Sequence, residues 1–432
     1  MIFETVAGER YTPFSLAKKF GAKAVLESAS FSQGKDRYSI IMLDEAFKVI
    51  EDDEGVAIII NGNRQPVHMM NGGDILDVLT QIADENPAEE GMDFPLPAAG
   101  IGYLSYEFCA KCDTIHLQKQ NDELKIPESA FIVGHTFVVF DHFTEKLHIC
   151  AQNYKEHEID LKKAVADVKK RLSDLDFSYL AEPETDFETT VITDEEQSKA
   201  EYTEKVEALK KHIVAGNIIQ AVPSRRLQIR SEVPALEIYR RLRSVNPSPY
   251  LFYLDFDEFQ FTGASPESLV RVRDGEAVIH PIAGTRRRGK NSAEDEKLRE
   301  ELLADPKERA EHLMLVDLAR NDLGRVCQTG TVEVSRFMFT ELYSSVIHLV
   351  SEVTGKIKDG ERSAKVLRAA FPAGTVSGAP KISAIEILST LEKNKRNFYA
   401  GAVGYIGNKN NLDFCIAIRC ALKQGDVWTL QA

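Results

Sequence analysis

A chain of 432 residues with 43% hydrophobic and 28% charged side chains has material for one large or two ordinary globular domains. Its formal charge of −14 argues against a nucleic-acid role, which needs a clustered basic face, and no run approaches the roughly 20 apolar residues that cross a bilayer. The start, MIFETVAGERY, has acids where a secretory signal carries bases, and six scattered cysteines suit a reducing compartment, so the cytoplasm is the expected location.

In chain order, the first 150 residues alternate short β-branched and aromatic runs with turns: AVLES, YSIIML, FKVI, VAIIING, IGYLSYEF, AFIVGHTFVVFDH and KLHICAQ. These read as mostly antiparallel strands, with GGDILDVLTQIADE as one interrupting helix. Cys109 and Cys112 form a C-x-x-C pair without the further ligands of a zinc site, and read as two partly buried thiols. A charged amphipathic helix from Asp160 to about Leu175 follows, then an acidic aperiodic stretch. The expected division is a region 1–180, a linker 181–198 and a second region 199–432, with the two regions free to interleave in space.

The second region opens with a helix that Gly216 stops, then a strand from Ile218. Further on, Asp305, Pro306 and Glu308 give the N-cap, first-turn proline and capping-box positions of another helix. On it Glu311, Leu315, Leu318 and Asp322 share a face, which fits either a solvated surface or a partly buried carboxylate holding a hard cation. Gly374 and Gly378 precede a helix near Pro380 whose N-terminus and Lys381 could take an anion, though the spacing is not a P-loop's and close helix packing explains the glycines as well. In NLDFCIAIRC the alternation puts Arg419 on a strand among small neighbours, available to clamp a carboxylate or to pair with an acid. His348 sits in an apolar strand, where a satisfied core histidine is the commoner fate. No nucleophile elbow and no H-E-x-x-H motif is present.

Five segments, NPSPYLFYLDF, GASPESLVRV with PIAGTRRRG, ERAEHLMLVDLARNDLGRV, FPAGTVSGAPKISAIEI and YAGAVGYIGNKNNLDFCIAIR, resemble the chorismate-utilising enzymes, and among them the family of anthranilate synthase large subunits (component I). AVLESAS and RYSII extend the likeness toward the N-terminus. The resemblance implies an α+β fold in which large antiparallel β-sheets pack as a sandwich with helices outside. It implies a lyase of tryptophan biosynthesis that turns chorismate and ammonia into anthranilate and pyruvate with Mg²⁺, fed by a glutamine amidotransferase subunit and inhibited by tryptophan.

Residue by residue, it implies Glu267 as the acid assisting departure of the ring hydroxyl, His348 beside the reacting ring, Gly284 and Thr285 at the substrate, Tyr405 and Arg419 on its carboxylates, and Glu311 on the metal. Glu27, Ser28, Pro249, Tyr250 and Leu251 match the tryptophan pocket, while the three arginines 286–288 are expected to anchor their loop. Aminodeoxychorismate synthases, the nearest alternative, carry a nucleophilic lysine where Ala283 stands, and isochorismate synthases a lysine base where Gln220 stands. The family pattern continues past VWTLQA with a Gly-rich loop and a second metal carboxylate, so lower activity is expected of the 432 residues alone; a non-catalytic tryptophan-binding protein is the rival from another class.

Overall fold

A computed structural model describes residues 1–28, 37–69, 72–174, 186–343 and 346–432. The expected linker therefore lies partly outside the described residues, as do Ala29 and Ser30 of AVLESAS. Two large sheets dominate, and every strand pairing in them is antiparallel. Among the described residues, one has 11 strands and carries Ala24–Glu27 next to Tyr250–Asp255, then Gln260–Ser265 and Cys420–Gln424. The other has 12 and runs through Ile282–Arg287, Val346–Lys356, Glu276–Ile279, Ser268–Arg273, Leu412–Ile416, Ala402–Ile406 and Ile101–Leu104. Strands from both halves of the sequence hydrogen-bond side by side in each of these two sheets, so neither large sheet belongs to one half alone.

Why two sheets and not one follows from the alternation of the strands. In Tyr250–Asp255, Phe252 and Leu254 join the core between the sheets while Leu251 and Tyr253 join a second core under the helices. Between the sheets, Tyr103 meets Phe261 edge-on at 6.0 Å, the offset geometry aromatic rings prefer. Outside the 11-stranded sheet lie the helices Pro13–Phe20, Leu161–Ser173 and Ala235–Val245, whose apolar faces Phe14, Val165 and Tyr239 complete that second core. The sandwich with outer helices expected from the sequence is what the chain forms.

Most helix boundaries follow their caps. Asp160 accepts from Lys163 N, Asp194 from Gln197 N, and Asp305 from Lys307 N and Glu308 N, each satisfying amides that a helix start leaves unpaired. Glu308 departs from the expected capping box: its side chain turns to Arg286. The strand expected from Ile218 shrinks to Gln220–Ala221, paired with Gly378–Ala379. Gly374 and Gly378 serve close packing, since a Cβ on Gly374 would collide with Leu318 and one on Gly378 with the Gln220 carbonyl.

Candidate active site

Glu267 enters the strand Ser268–Arg273 at the mouth of a cavity of about 40 Å³, roughly the room of one or two small molecules the size of water. Its backbone is fixed on both sides: the carbonyl accepts from Ile416 N at 3.0 Å, and the amide donates to Ser265 Oγ at 3.4 Å. Burial pushes the carboxyl up to about 7, against the opposing pull of the Thr375 hydroxyl and the Arg419 charge. Near neutral pH it therefore holds its proton about half the time, the condition a general acid needs. Thr375, in the Gly-rich connection, is a neighbour that the sequence motif contained but its residue type did not single out.

His348 lies 9% exposed on Val346–Lys356, directly opposite Thr285. Its Nδ1 is 3.0 Å from Thr285 Oγ1 and 3.3 Å from the Gly284 carbonyl, and Tyr343 packs against it edge-on. Burial lowers its pKa, and Arg419 lowers it further against the Gly284 contact, so the ring is neutral at neutral pH. Gly284 earns its place sterically: at φ +68° it forms the irregularity between Ala283 and Thr285, and a Cβ there would stand 3.1 Å from both Leu302 and Glu308. Arg286 then pairs with Asp305, and Arg288 with Asp295 and the Tyr343 carbonyl. These two arginines tie the loop to the starts of the following helices, as expected.

Arg419 corrects the sequence reading. The strand ends at Ile416, and Arg419 is an exposed residue with φ +51° in the connection to Cys420–Gln424. Its charge still reaches both Glu267 and His348. The helix Pro306–Val326 separates its two acids. Asp322 is buried in the wall of the small cavity and bonds Lys381 Nζ at 2.9 Å, which takes that lysine away from the anion site expected of it. Burial raises the Asp322 pKa despite this partner. Glu311, half-buried, remains on the same helix three turns earlier. Among the described residues no group of three or more His, Cys, Asp or Glu side chains is placed to hold a metal; one carboxylate is nonetheless a donor set that Mg²⁺ accepts, because it keeps most of its shell as water or substrate oxygen.

A second cavity, of about 440 Å³, opens between the sheets. All five residues matched to the tryptophan pocket line it: Glu27, Ser28, Pro249, Tyr250 and Leu251. The Glu27 carboxylate is already engaged by Tyr239 (2.8 Å) and Arg243 (2.7 and 2.5 Å). Tyr405 lines this cavity too, so it parts from Arg419, with which the sequence reading had grouped it on the substrate. The register explains why: Arg271, Asp413 and Tyr405 stand opposite one another across three adjacent strands and so share a face. Tyr250 donates to Asp413 at 3.0 Å, and burial raises the Asp413 pKa against the pull of Arg271. The alternation of NLDFCIAI exposed this aspartate's face; its cavity emerged only from the strand order.

Residues 30–432 match the family model described as chorismate binding enzyme. Anthranilate synthase component 1 of Spirochaeta aurantia is 52% identical over 432 residues, covering 100% of this chain and 89% of that protein. Its counterpart in Aquifex aeolicus is 38% identical, covering 95% and 84%. Among solved structures, anthranilate synthase component I from Streptococcus pneumoniae superposes with a TM-score of 0.80 at 32% identity, over 93% of this chain and 88% of that one. The menaquinone-specific isochorismate synthase of Escherichia coli, at 18% identity and TM-score 0.72, shares the fold.

Proposed function

Because the chain belongs to the chorismate-binding enzyme family, we propose that it is the anthranilate-forming member, converting chorismate and ammonia to anthranilate, pyruvate and water. The observation that carries the reading is an opposed pair of titrating groups: Glu267, raised to about 7, and His348, lowered, both within reach of the Arg419 charge. Groups whose environments push their pKa values apart divide acid from base work. Glu267 gives its proton to the departing ring hydroxyl, which leaves as water while ammonia adds to the ring and sheds a proton. His348, neutral and held by Thr285, takes the ring proton as the enolpyruvyl group departs and is protonated to pyruvate.

Gly284 and Thr285 face the substrate at the His348 side, and Arg419 supplies positive charge to a dianion in a protein that is otherwise negative. When bound, Mg²⁺ neutralises a substrate carboxylate; Glu311 is the residue we assign to hold it. Ala283 and Gln220 offer neither a nucleophilic lysine nor a lysine base, which favours this reaction over the aminodeoxychorismate and isochorismate alternatives. A glutamine amidotransferase subunit is the proposed ammonia source, and the cytoplasm the proposed location; no helix among the described residues is long and apolar enough to cross a membrane.

The larger cavity we assign to tryptophan as an inhibitor. Apolar walls such as Leu26, Phe94 and Phe252, with Asp413 and Arg271 side by side at one end, suit a zwitterion with a large apolar side chain. Chorismate with ammonium and Mg²⁺, followed by anthranilate fluorescence, tests the proposal. Anthranilate at a rate proportional to enzyme is expected; a folded chain that makes isochorismate instead, or that binds tryptophan and converts nothing, contradicts it.

A further inference from the structure

Among the described residues, Arg396 has the largest side chain that is fully buried, and it lines neither cavity. It lies in the connection between the helix Lys381–Leu391 and the strand Ala402–Ile406. Its main chain is held by buried Glu107, whose carboxylate accepts from Arg396 N at 2.7 Å and from Asn397 N at 3.1 Å. The guanidinium lies over the Tyr106 ring, 4.4 Å from its centroid, and meets the Glu392 carboxylate with two bonds, Nε to Oε2 at 2.7 Å and Nη2 to Oε1 at 2.8 Å. The same Oε1 accepts from Ser224 N at 2.8 Å. Burial pushes the Glu392 carboxyl up, yet Arg396 and Ser224 outweigh it and hold it below the usual carboxylate range, so the pair is charged.

Ion pairing does not account for so deep an arginine, because taking two charges out of water costs as much as their attraction returns, or more. What an apolar pair could not do is satisfy backbone carbonyls. Arg396 Nη1 donates to the Val376 carbonyl at 2.8 Å, and Nη2 to the Val222 carbonyl at 2.7 Å. Val376 ends the turn Gly374–Val376, and the residue before it, Thr375, lines the smaller cavity together with Glu267. Val222 follows the strand Gln220–Ala221, which pairs with Gly378–Ala379, and its N–H donates to the Ser377 carbonyl at 3.0 Å. The planar fork of one guanidinium thus ties together the two chain segments at one end of this small sheet. The Thr375 hydroxyl is buried with no hydrogen bond of ordinary geometry among the described residues, so its place beside Glu267 is set by the turn that carries it.

We infer that Arg396 is a positioning residue for the reaction: its two carbonyl bonds hold the turn that carries Thr375, and with it the strand that carries Gln220, so that Thr375 stays beside Glu267. This rests on the proposed reading of Glu267 as the acid that protonates the departing ring hydroxyl. The consequence is electrostatic as well as steric. The Thr375 hydroxyl favours the charged form of Glu267 against the larger effect of burial, which sets the carboxyl at about 7. With the turn released that pull is lost, the carboxyl rises further, and the fall of kcat/KM on the alkaline side moves to higher pH.

The test compares the full unaltered chain with Arg396→Met combined with Glu392→Gln, which removes both charges together and leaves neither buried without its partner. For chorismate, kcat/KM is followed by anthranilate fluorescence across about pH 6 to 9, in saturating Mg²⁺ and at constant free ammonia. The double variant should lose about 10- to 10²-fold in kcat/KM, with the alkaline limb displaced upward by about half a pH unit or more. Arg396→Lys keeps a charge beside Glu392 but not the fork that spans both carbonyls, and should show a smaller loss with the limb displaced in the same direction. A cooperatively melting double variant with kcat/KM within about threefold of the original overturns the inference. So does a loss of rate in which the limb stays at its original pH, the result that a purely structural role would give. Should the double variant not fold, Arg396→Lys decides alone, an unmoved limb counting against the proposal. An unaltered chain that makes no anthranilate overturns the reading of the site, and the positioning role with it.

Discussion

The two cavities lie a residue apart along the same strands, yet they are built for opposite tasks. The small one is lined by two carboxyls whose proton affinities have been displaced, Glu267 raised to about 7 and Asp322 raised, while His348, lowered, lies outside its lining and shares with Glu267 the influence of the Arg419 charge. The larger one gathers apolar walls and one row of polar side chains, Arg271, Asp413 and Tyr405, that the sheet register places on a single face. Reactivity needs side chains converging from several elements, here two strands, the 284–285 turn and the Gly-rich connection. Selective binding needs only a sheet face and something to pack against it.

Breaking the reactive site should have the largest effect. His348→Gln keeps a hydrogen-bonding side chain beside Thr285 but removes the base, so turnover of chorismate should fall by about 10²- to 10⁴-fold while the rise in melting temperature with tryptophan is unchanged. A variant of near-normal turnover removes His348 from the chemistry. For the larger cavity, Asp413→Asn preserves shape and cancels the charge next to Arg271; tryptophan affinity measured by calorimetry should drop by about 10- to 100-fold, with uninhibited turnover within about threefold of the original. Equal loss of both properties would mean that the cavities are not chemically separate.

Smaller effects sharpen the same contrast. Since the folded Glu267 carboxyl is raised to about 7 from an ordinary value near 4.5, its contribution to stability is intact below about 4.5 and is lost as the pH climbs through 7. Glu267→Gln should therefore melt close to the original chain at pH 4.5 and be more stable by about 3 kcal/mol at pH 8, as read by denaturant titration. The rate kcat/KM of the unaltered enzyme should fall above about pH 7 for the same reason, the acid form being the working one. Smallest is Gly284→Ala, which forces a side chain into φ +68° and 3.1 Å from Leu302 and Glu308. It should cost about 1–2 kcal/mol of stability, and a cost near zero would show that the turn adapts freely.

Much of this architecture was legible in the chain. Period-two runs such as FKVI and TFVVF gave strands, and Asp160, Asp194 and Asp305 announced their helices, because alternation and capping are local physics. Arg419 misled for the opposite reason. The alternation of LDFCIAIR continues past the point where the backbone leaves the sheet, and the positive φ at Arg419 has no signature in a non-glycine residue. Tyr405 shows a different limit: its strand and facing were readable, but which cavity that face borders depends on the strand order, which joins Ala402–Ile406 to Leu412–Ile416 and Ile101–Leu104. Lys381 and Asp322 are 59 positions apart, and nothing local said that one neutralises the other.

The separation of the two sites is tested most directly by following two signals on one Glu267→Gln sample: anthranilate formation from chorismate, ammonium and Mg²⁺, and the shift in melting temperature on adding tryptophan. Anthranilate formation should fall by about 10²-fold or more while the tryptophan shift matches that of the unaltered chain. Full anthranilate formation, or a tryptophan shift that disappears together with it, would contradict the account.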